Sequence, residues 1–254
     1  MVSNKLSGLK YMVGKIHSVF SGGTVDGPGI RFVVFTQGCP LRCKYCHNPD
    51  SWELGAGEER SVEDLTKEII KYKNYFGKTG GVTVSGGEPL LQIEFVIELL
   101  KSVKKYGIHT AVDTSGFMFN EKEEKSVKLH EELNNYVDLY LLDIKHIDDG
   151  EHKRLTGVSN KNTLAFAKWL DSKDKKVWIR HVLLDGFTDN DEYLKKTKEF
   201  IDTLSNVEKV EVLPYHTMGE VKYKKLNIDY ALKGVNPPTK ERVLNARSIL
   251  GVNK

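Results

Sequence analysis

The sequence predicts an α/β fold, an incomplete (β/α) barrel of six βα units around a mostly parallel sheet. Short β-branched or aromatic runs alternate six times with longer amphipathic runs, as in repeated βα units. Unusual polar residues end or follow the predicted strands, where the loops of a βα barrel carry its functional groups. The chain of 254 residues, 39% of them hydrophobic, is long enough for one large α/β domain.

The strands are predicted from runs rich in β-branched and aromatic residues, and the helices from the amphipathic segments between them. The predicted strands are Arg31–Thr36, Gly81–Ser85, His109–Asp113, Leu139–Asp143, Lys176–Leu183 and Lys209–Leu213. The predicted helices are Ser61–Phe76, Leu90–Tyr106, Glu121–Asn135, Thr163–Ser172, Asp191–Ser205 and Thr239–Leu250. Ser61 and Asp64 form a capping-box pattern, and Gly107 follows the second helix as a stop signal.

Composition limits the classes of function. We expect a single domain over residues 1–254, with a core at about 19–216 and a C-terminal extension over 217–254. The chain has 38 Lys and Arg residues and 35 acidic residues, and the resulting net charge of +3 argues against a nucleic-acid partner. The sequence has no run of eighteen apolar residues, so no membrane span is predicted. Met1 to Phe20 lacks the apolar core of an export signal. A cytoplasmic protein with no membrane partner is the expectation.

All three cysteines of the chain lie in one short segment, at Cys39, Cys43 and Cys46. The C-x3-C-x2-C spacing brings three thiolates into one loop, one fewer than a closed tetrahedral metal site takes. This favours a [4Fe-4S] cluster held at three irons, with the fourth iron open to an external chelating ligand.

Other interpretations of the cysteines remain open. Zinc could take the three thiolates and His47. Cys43–His47 also matches the haem-attachment pattern C-x-x-C-H, which would require export. A thioredoxin-like dithiol would leave Cys39 without a role, and a structural disulfide is disfavoured in the expected compartment.

Polar groups at the strand ends point to one functional face. Gly86-Gly87-Glu88 follows the second strand, and two adjacent glycines expose backbone that can accept a polar group, although a tight turn would explain them equally well. Asp113 and Asp143 carry more weight, because a carboxylate ending an apolar strand needs a cation or a donor. An ion pair of Asp143 with Lys145 is the simpler alternative. The other polar groups of this face are Thr114, Arg180, His181 and His216.

These residues resemble a known family. The three cysteines, with Tyr45 before the last, and Ser85–Pro89 resemble the motifs of radical S-adenosylmethionine enzymes. Further stretches resemble the glycyl-radical-enzyme activases, of the pyruvate formate-lyase type, and the resemblance runs from about Val19 to Leu250. Those stretches are Thr24–Arg31, Cys46–Asp50, Val177–Arg180 and Leu213–His216. Because no cysteine is left for auxiliary clusters, activases of the glycerol dehydratase and benzylsuccinate types are disfavoured, and the shorter ribonucleotide reductase activases stay possible.

The resemblance implies a reaction and its components. A [4Fe-4S] cluster on Cys39, Cys43 and Cys46 would reduce S-adenosylmethionine, and the resulting 5'-deoxyadenosyl radical would take a glycine α-hydrogen from the protein substrate, pyruvate formate-lyase. Reduced flavodoxin or a similar protein would supply the electron. A radical enzyme acting on a small molecule and a zinc-binding interaction module remain alternatives.

The resemblance also assigns site residues. The implied contacts to S-adenosylmethionine are Tyr45, Cys46, His47, Gly86, Gly87, Glu88, Asp143, Ile144, Lys145 and His216. A monovalent cation is implied at Asp113, Thr114, Leu141 and Asp143. Asp26, ahead of the first predicted strand, is expected to receive the partner's glycine loop.

Overall fold

The computed structural model describes residues 12–252. Its sheet has eight strands in the order β3-β1-β2-β4-β5-β6-β7-β8, is mostly parallel and is not closed. The predicted fold class is therefore confirmed. Part of the segment inspected for an export signal, residues 1–11, lies outside the described residues.

The described residues form eight strands and eight α-helices. The strands are β1 (Val13–Gly23), β2 (Arg31–Thr36), β3 (Glu58–Ser61), β4 (Gly81–Gly86), β5 (His109–Thr114), β6 (Leu139–Asp143), β7 (Val177–Leu183) and β8 (Val207–Pro214). The helices are α1 (Val62–Lys71), α2 (Ile93–Lys104), α3 (Glu124–Asn134), α4 (Asp149–Thr156), α5 (Lys161–Ser172), α6 (Asp191–Ile201), α7 (Glu220–Leu226) and α8 (Lys240–Ile249).

The six predicted strands all exist, and two elements of the sheet were missed. β2 and β6 have the predicted limits, β4, β5 and β7 differ by one residue at one end, and β8 is longer by two residues at its start and one at its end. The missed strands, β1 and β3, pair antiparallel with each other, and β1 also pairs antiparallel with β2. Along β1 exposed or half-buried residues dominate, so this strand lacks the continuous apolar run that marks a buried parallel strand.

The six predicted helices exist as α1, α2, α3, α5, α6 and α8, but several are shorter by three to five residues at an end, and two of their predicted local signals are present. The Ser61 hydroxyl accepts a hydrogen bond from the Asp64 N–H (3.0 Å), which caps α1. Gly107, after α2, has a φ of +66°, the left-handed conformation of a helix stop. The sequence prediction missed α4 and α7, which have eight and seven residues, because so few turns show little periodicity.

The chain gathers into two compact units, while the single-domain expectation stays a prediction. The first unit comprises the described parts of Met1–Cys39, Glu53–Thr114 and Glu121–Leu141. Here β2 pairs parallel with β4, and β4 with β5. These strands are buried along most of their length, and α1 and α2 add apolar side chains to the core.

The second unit comprises Pro40–Trp52, Ser115–Asn120 and the described part of Leu142–Lys254. β7 and β8 pair in parallel from Val177–Val207 to Leu183–Pro214. Its core includes a cluster of three aromatic rings, in which Phe119 lies 5.3 Å from Phe166 and 5.1 Å from Trp169 between ring centroids. Among residues 12–252, no helix is long and apolar enough to cross a bilayer.

A carboxylate ties α2, β5 and the start of β6 together in the first unit. Asp138 accepts hydrogen bonds from Lys104 Nζ (2.5 Å) and from the Thr110 N–H (2.9 Å). Burial alone would raise the pKa of Asp138, but the bonds from Lys104 and Thr110 outweigh it and lower the pKa. A carboxyl group with a lowered folded-state pKa stabilises the fold above its unfolded pKa, and this contribution is lost as the pH falls through the folded value.

We therefore expect Asp138→Asn to reduce the free energy of unfolding at pH 7 by about 1–2 kcal/mol. The difference from wild type should shrink as the pH falls below about 4, where Asp138 of the unfolded chain takes up a proton, and further as the pH passes the lowered folded-state pKa. Urea unfolding of the metal-free protein at pH 7 and below pH 4 measures this difference in the free energy of unfolding. Glu124→Gln, at an exposed side chain of α3, is the control. A difference that does not change with pH would contradict the assignment.

Candidate metal centre and its surroundings

The cysteine loop of the second unit is fastened by backbone hydrogen bonds. The Arg42 N–H donates to the Thr156 carbonyl (2.8 Å) and the Lys44 N–H to the Leu155 carbonyl (3.0 Å), so the loop lies on the end of α4. The Cys46 N–H donates to the Cys43 carbonyl (3.0 Å), which closes a turn between two of the thiols. These bonds hold the loop in place without using its side chains.

The three thiols are available as ligands, because none of them forms a disulfide. Cys39, which ends a segment of the first unit, and Cys43 are buried, and Cys46 is half-buried. Burial raises the pKa of Cys43 to about 12, although Lys145 opposes it, and burial also raises the pKa of Cys46. Such thiols give up their protons only to a strong positive charge, which metal ions supply.

The donor set fits an iron–sulfur cluster. Within the described part of the chain, no three His, Cys, Asp or Glu side chains are grouped to bind one metal ion. A cubic cluster makes a different demand, because each thiolate binds a different iron. His47, the fourth ligand in the zinc interpretation, has its ring engaged elsewhere.

His47 forms a pair with His216. Their rings stack with centroids 3.9 Å apart, and the His47 Nε2–H donates to the His216 carbonyl (3.3 Å). Burial, followed by the neighbouring His216, lowers the pKa of His47, so the ring stays neutral. The His216 Nδ1 is buried and has no hydrogen-bond partner among the described residues, which leaves it available to a polar ligand.

Asp143 and Lys145 form a largely buried ion pair at the end of β6. Lys145 Nζ donates to Asp143 Oδ2 (2.9 Å) and lies 5.8 Å from the centroid of the Tyr45 ring. Burial would lower the pKa of Lys145, but Asp143 outweighs it and raises the pKa well above its usual value. The simpler alternative for Asp143, an ion pair with Lys145, is thus present.

Two neighbours of this pair complete its surroundings. Ile144 is fully buried, and its N–H donates to the Arg180 carbonyl (3.0 Å) while its carbonyl accepts from His181 Nδ1 (2.8 Å). These two bonds fix the chain between Asp143 and Lys145. The Tyr45 hydroxyl is a second buried polar atom with no hydrogen-bond partner in the described chain.

The segment at α7 packs on the cysteine loop, which the sequence analysis did not predict. Lys222 Nζ bonds Asn48 Oδ1 (2.8 Å) and Asp50 Oδ2 (2.9 Å). Tyr223 meets the Trp52 ring edge-on at 5.8 Å between centroids. These partners lie more than 150 residues apart in the chain, so no local pattern marks them.

Gly219 precedes α7 and lies against the same loop. A Cβ atom added to Gly219 would lie 3.1 Å from the His47 Cα and 3.2 Å from the Cys46 carbonyl oxygen. A glycine at this position therefore permits a close approach of the two backbones. No local motif around Gly219 predicts this contact from the sequence.

In the first unit, the glycine pair makes a tight turn, and no side chain fits at Gly86. Gly86 has a φ of +119°, and an added Cβ would lie 2.2 Å from the Thr36 nitrogen. The Gly87 N–H donates to the Thr36 carbonyl (2.9 Å), and the Glu88 N–H donates to the Gly38 carbonyl (2.9 Å). The turn is thus bonded to the segment that leads into Cys39.

The carboxylate of Glu88 is directed to other parts of the first unit. It is buried, accepts from the Thr114 hydroxyl (2.6 Å), and caps the short 3-10 helix Pro89–Gln92 through the Leu90 N–H (3.1 Å). The neighbouring Asp113 accepts from the Ser85 hydroxyl (2.9 Å). Leu141, the remaining first-unit residue of the expected cation site, is fully buried on β6.

The loop that contains Asp26 is braced by a buried arginine that the sequence analysis did not single out. Arg31 Nε donates to Thr83 Oγ1 (2.9 Å), and the Thr83 hydroxyl donates to the Asp26 carbonyl (2.6 Å). Arg31 is fully buried, and burial lowers its pKa to about 10. Gly29, in the same loop, has a φ of +66° and lies against the backbone of Gly80.

Comparisons with known proteins identify relatives over nearly the whole chain. The model of the Radical SAM superfamily matches residues 33–201. The chain is 50% identical to the pyruvate formate-lyase-activating enzyme of Streptococcus mutans, over 94% of this chain and 91% of that protein. It is 47% identical to the pyruvate formate-lyase 1-activating enzyme of Escherichia coli, over 94% and 96% of the two chains.

A solved structure agrees with these relatives. The fold is similar to a domain of a pyruvate-formate lyase-activating enzyme from Bacteroides vulgatus, with a TM-score of 0.55 and 29% identity. The match covers 68% of this chain and 96% of that domain.

The buried ion pair yields a prediction about stability. Asp143→Ala would leave the Lys145 charge buried without its partner, so we expect a loss of about 3–5 kcal/mol in the free energy of unfolding. The double variant Asp143→Ala, Lys145→Met should recover a large part of this loss, because both charges are removed. Denaturant unfolding of the metal-free variants tests this, and additive losses would refute it.

Proposed function

We propose a function from the premise that this chain belongs to the radical SAM superfamily, in its family of pyruvate formate-lyase-activating enzymes. It is an oxidoreductase that activates pyruvate formate-lyase with a [4Fe-4S] cluster and S-adenosylmethionine. When bound, the cluster supplies the electron that cleaves S-adenosylmethionine, and the 5'-deoxyadenosyl radical takes the α-hydrogen of a glycine in the partner. This membership leaves no place for a non-catalytic zinc module.

The observation that carries the proposal is the loop with three thiols in a sequence that has no fourth cysteine. Cys39, Cys43 and Cys46 would hold the cluster. In support, the thiols form no disulfide, and burial raises the pKa of Cys43 and of Cys46, so these two stay protonated until iron supplies positive charge. Lys145 adds a second positive charge beside Cys43 and would favour its thiolate.

Residues of the second unit would bind S-adenosylmethionine. Tyr45 and His216 each have a buried polar atom with no bond among the described residues, as expected of groups that a ligand completes. The remaining proposed contacts in this unit are Cys46, His47, Asp143, Ile144 and Lys145. The pairing of Lys145 with Asp143 would fix both side chains before the ligand arrives.

Residues of the first unit would bind its methionine part. Gly86 and Gly87 offer backbone without side chains, which suits an ammonium group at close approach. For Glu88, the bonds to Thr114 and Leu90 support a positioning role in addition to the proposed ligand contact. A monovalent cation at Asp113, Thr114, the Leu141 carbonyl and Asp143, and a contact of Asp26 with the partner's glycine loop, are further proposals.

The electron donor and the compartment complete the proposal. A reduced flavodoxin or a similar protein would supply the electron, and the enzyme would work in the cytoplasm. The balanced charge of the chain supports the absence of nucleic-acid and membrane partners.

The reaction itself can be tested by electron paramagnetic resonance. After anaerobic reconstitution and reduction with dithionite, the protein with S-adenosylmethionine and pyruvate formate-lyase should give the doublet of a glycine-centred radical. Cys43→Ala should lose both the cluster iron and the radical, because two thiolates cannot hold three irons. Ser126→Ala, also at a buried small side chain, serves as the control and should keep both.

Two outcomes would count against the proposal. Full iron and sulfide content in Cys43→Ala would refute the ligand assignment. Cleavage of S-adenosylmethionine without a glycine doublet in the partner would instead favour a small-molecule substrate.

A further inference from the structure

We propose that the Tyr223 hydroxyl donates a hydrogen bond to a sulfur of the iron–sulfur centre and thereby raises the potential at which the centre accepts its electron. Tyr223 lies on α7 and belongs to none of the motifs that mark the site in the sequence. The inference rests on the proposed function and deepens it. Tyr223 itself neither gains nor loses an electron or a proton.

The Tyr223 hydroxyl is a buried donor without an acceptor. Its side chain is 3% exposed, and among the described residues its hydroxyl has no hydrogen-bond partner. Its ring packs on that of Tyr230, 4.7 Å between centroids, but the Tyr230 hydroxyl bonds the Tyr215 hydroxyl (2.7 Å). Because a buried donor without an acceptor is costly, native proteins rarely keep one unless a ligand or a water completes it.

The contacts of α7 place Tyr223 against the cysteine loop. Lys222, the preceding residue, bonds Asn48 Oδ1 (2.8 Å) and Asp50 Oδ2 (2.9 Å), both of which follow the last cysteine. The Tyr223 ring meets the Trp52 ring edge-on, 5.8 Å between centroids. All these residues belong to the second unit, so the packing of the hydroxyl is set within that unit.

The charges of the loop show what the hydroxyl lies near. Burial raises the pKa of Tyr223, and negative charge on Cys46 and on Cys43 raises it further. Charge interactions weaken with distance, so both sulfurs lie close to the hydroxyl. A neutral thiol is a weak acceptor, whereas a thiolate bound to metal carries the negative charge that strengthens such a bond.

Cys46 already accepts hydrogen bonds at its sulfur. Burial raises the pKa of Cys46, but the backbone N–H of Asn48 and the indole N–H of Trp52 oppose this as donors. Hydrogen bonds to the sulfurs of an iron–sulfur centre help to set its reduction potential. They favour the reduced state because it carries more negative charge, so an added donor from Tyr223 would raise the potential.

The experiment compares Tyr223→Phe, which removes the hydroxyl and keeps the ring, with wild type. Tyr140→Phe is the matched control, because Tyr140 is also buried but its hydroxyl donates to Asn134 Oδ1 (2.6 Å). Each protein is loaded with iron and sulfide without oxygen, and a redox titration followed by electron paramagnetic resonance gives the reduction potential. Only loaded protein contributes to this signal, so incomplete loading does not distort the value. The metal-free proteins are melted in parallel.

We expect Tyr223→Phe to lower the equilibrium constant for one-electron reduction about three- to tenfold, which is a fall of about 30–60 mV at 59 mV per tenfold. Tyr140→Phe should keep the wild-type potential. Without metal, Tyr223→Phe should melt at the wild-type temperature or slightly above it, because it removes a donor that has no partner. Tyr140→Phe should melt at a lower temperature, because it breaks a buried hydrogen bond.

Three outcomes would overturn the inference: an unchanged potential in Tyr223→Phe, an equal shift in Tyr140→Phe, or a lower melting temperature of metal-free Tyr223→Phe. The last would show that the hydroxyl already has a structural partner. A wild-type protein that takes up no iron would instead overturn the proposed function.

Discussion

Burial of the Cys43 thiol is the constraint on which the second unit depends. A thiolate in that position is costly, so the loop needs positive charge close to it. Lys145 provides one such charge, and Lys145 is itself buried enough to need Asp143. Because Asp143 is the last residue of β6, the position of this strand determines where the charge beside the thiol lies.

The same loop is held by backbone hydrogen bonds and by distant side chains. The end of α4 bonds Arg42 and Lys44, and α7 contributes Lys222 to Asn48 and Asp50. The loop is thus fixed without a disulfide between its cysteines. Positions fixed before a ligand binds lose less entropy on binding, which is the advantage of this arrangement.

In the first unit, the glycine turn and the buried carboxylate of Glu88 lie next to each other in the chain. Gly86 turns where any side chain would meet the backbone of Thr36, and Glu88 uses its carboxylate on Thr114 and Leu90. The sequence analysis considered Gly86-Gly87-Glu88 either as a turn or as a binding motif. The structure contains a tight turn, and its half-buried backbone without side chains is compatible with both interpretations.

What the sequence determined by itself was local. The six predicted strands are short runs with β-branched and aromatic residues, and the helix starts and stops depend on residues a few positions apart, such as Ser61 with Asp64. The cysteine spacing likewise needs only eight consecutive residues to indicate an open cluster. Tertiary structure decided the rest, because the partners of His47 and Asp50, namely His216 and Lys222, lie 169 and 172 residues away. No periodicity records such a pair, since only the folded chain brings its members together.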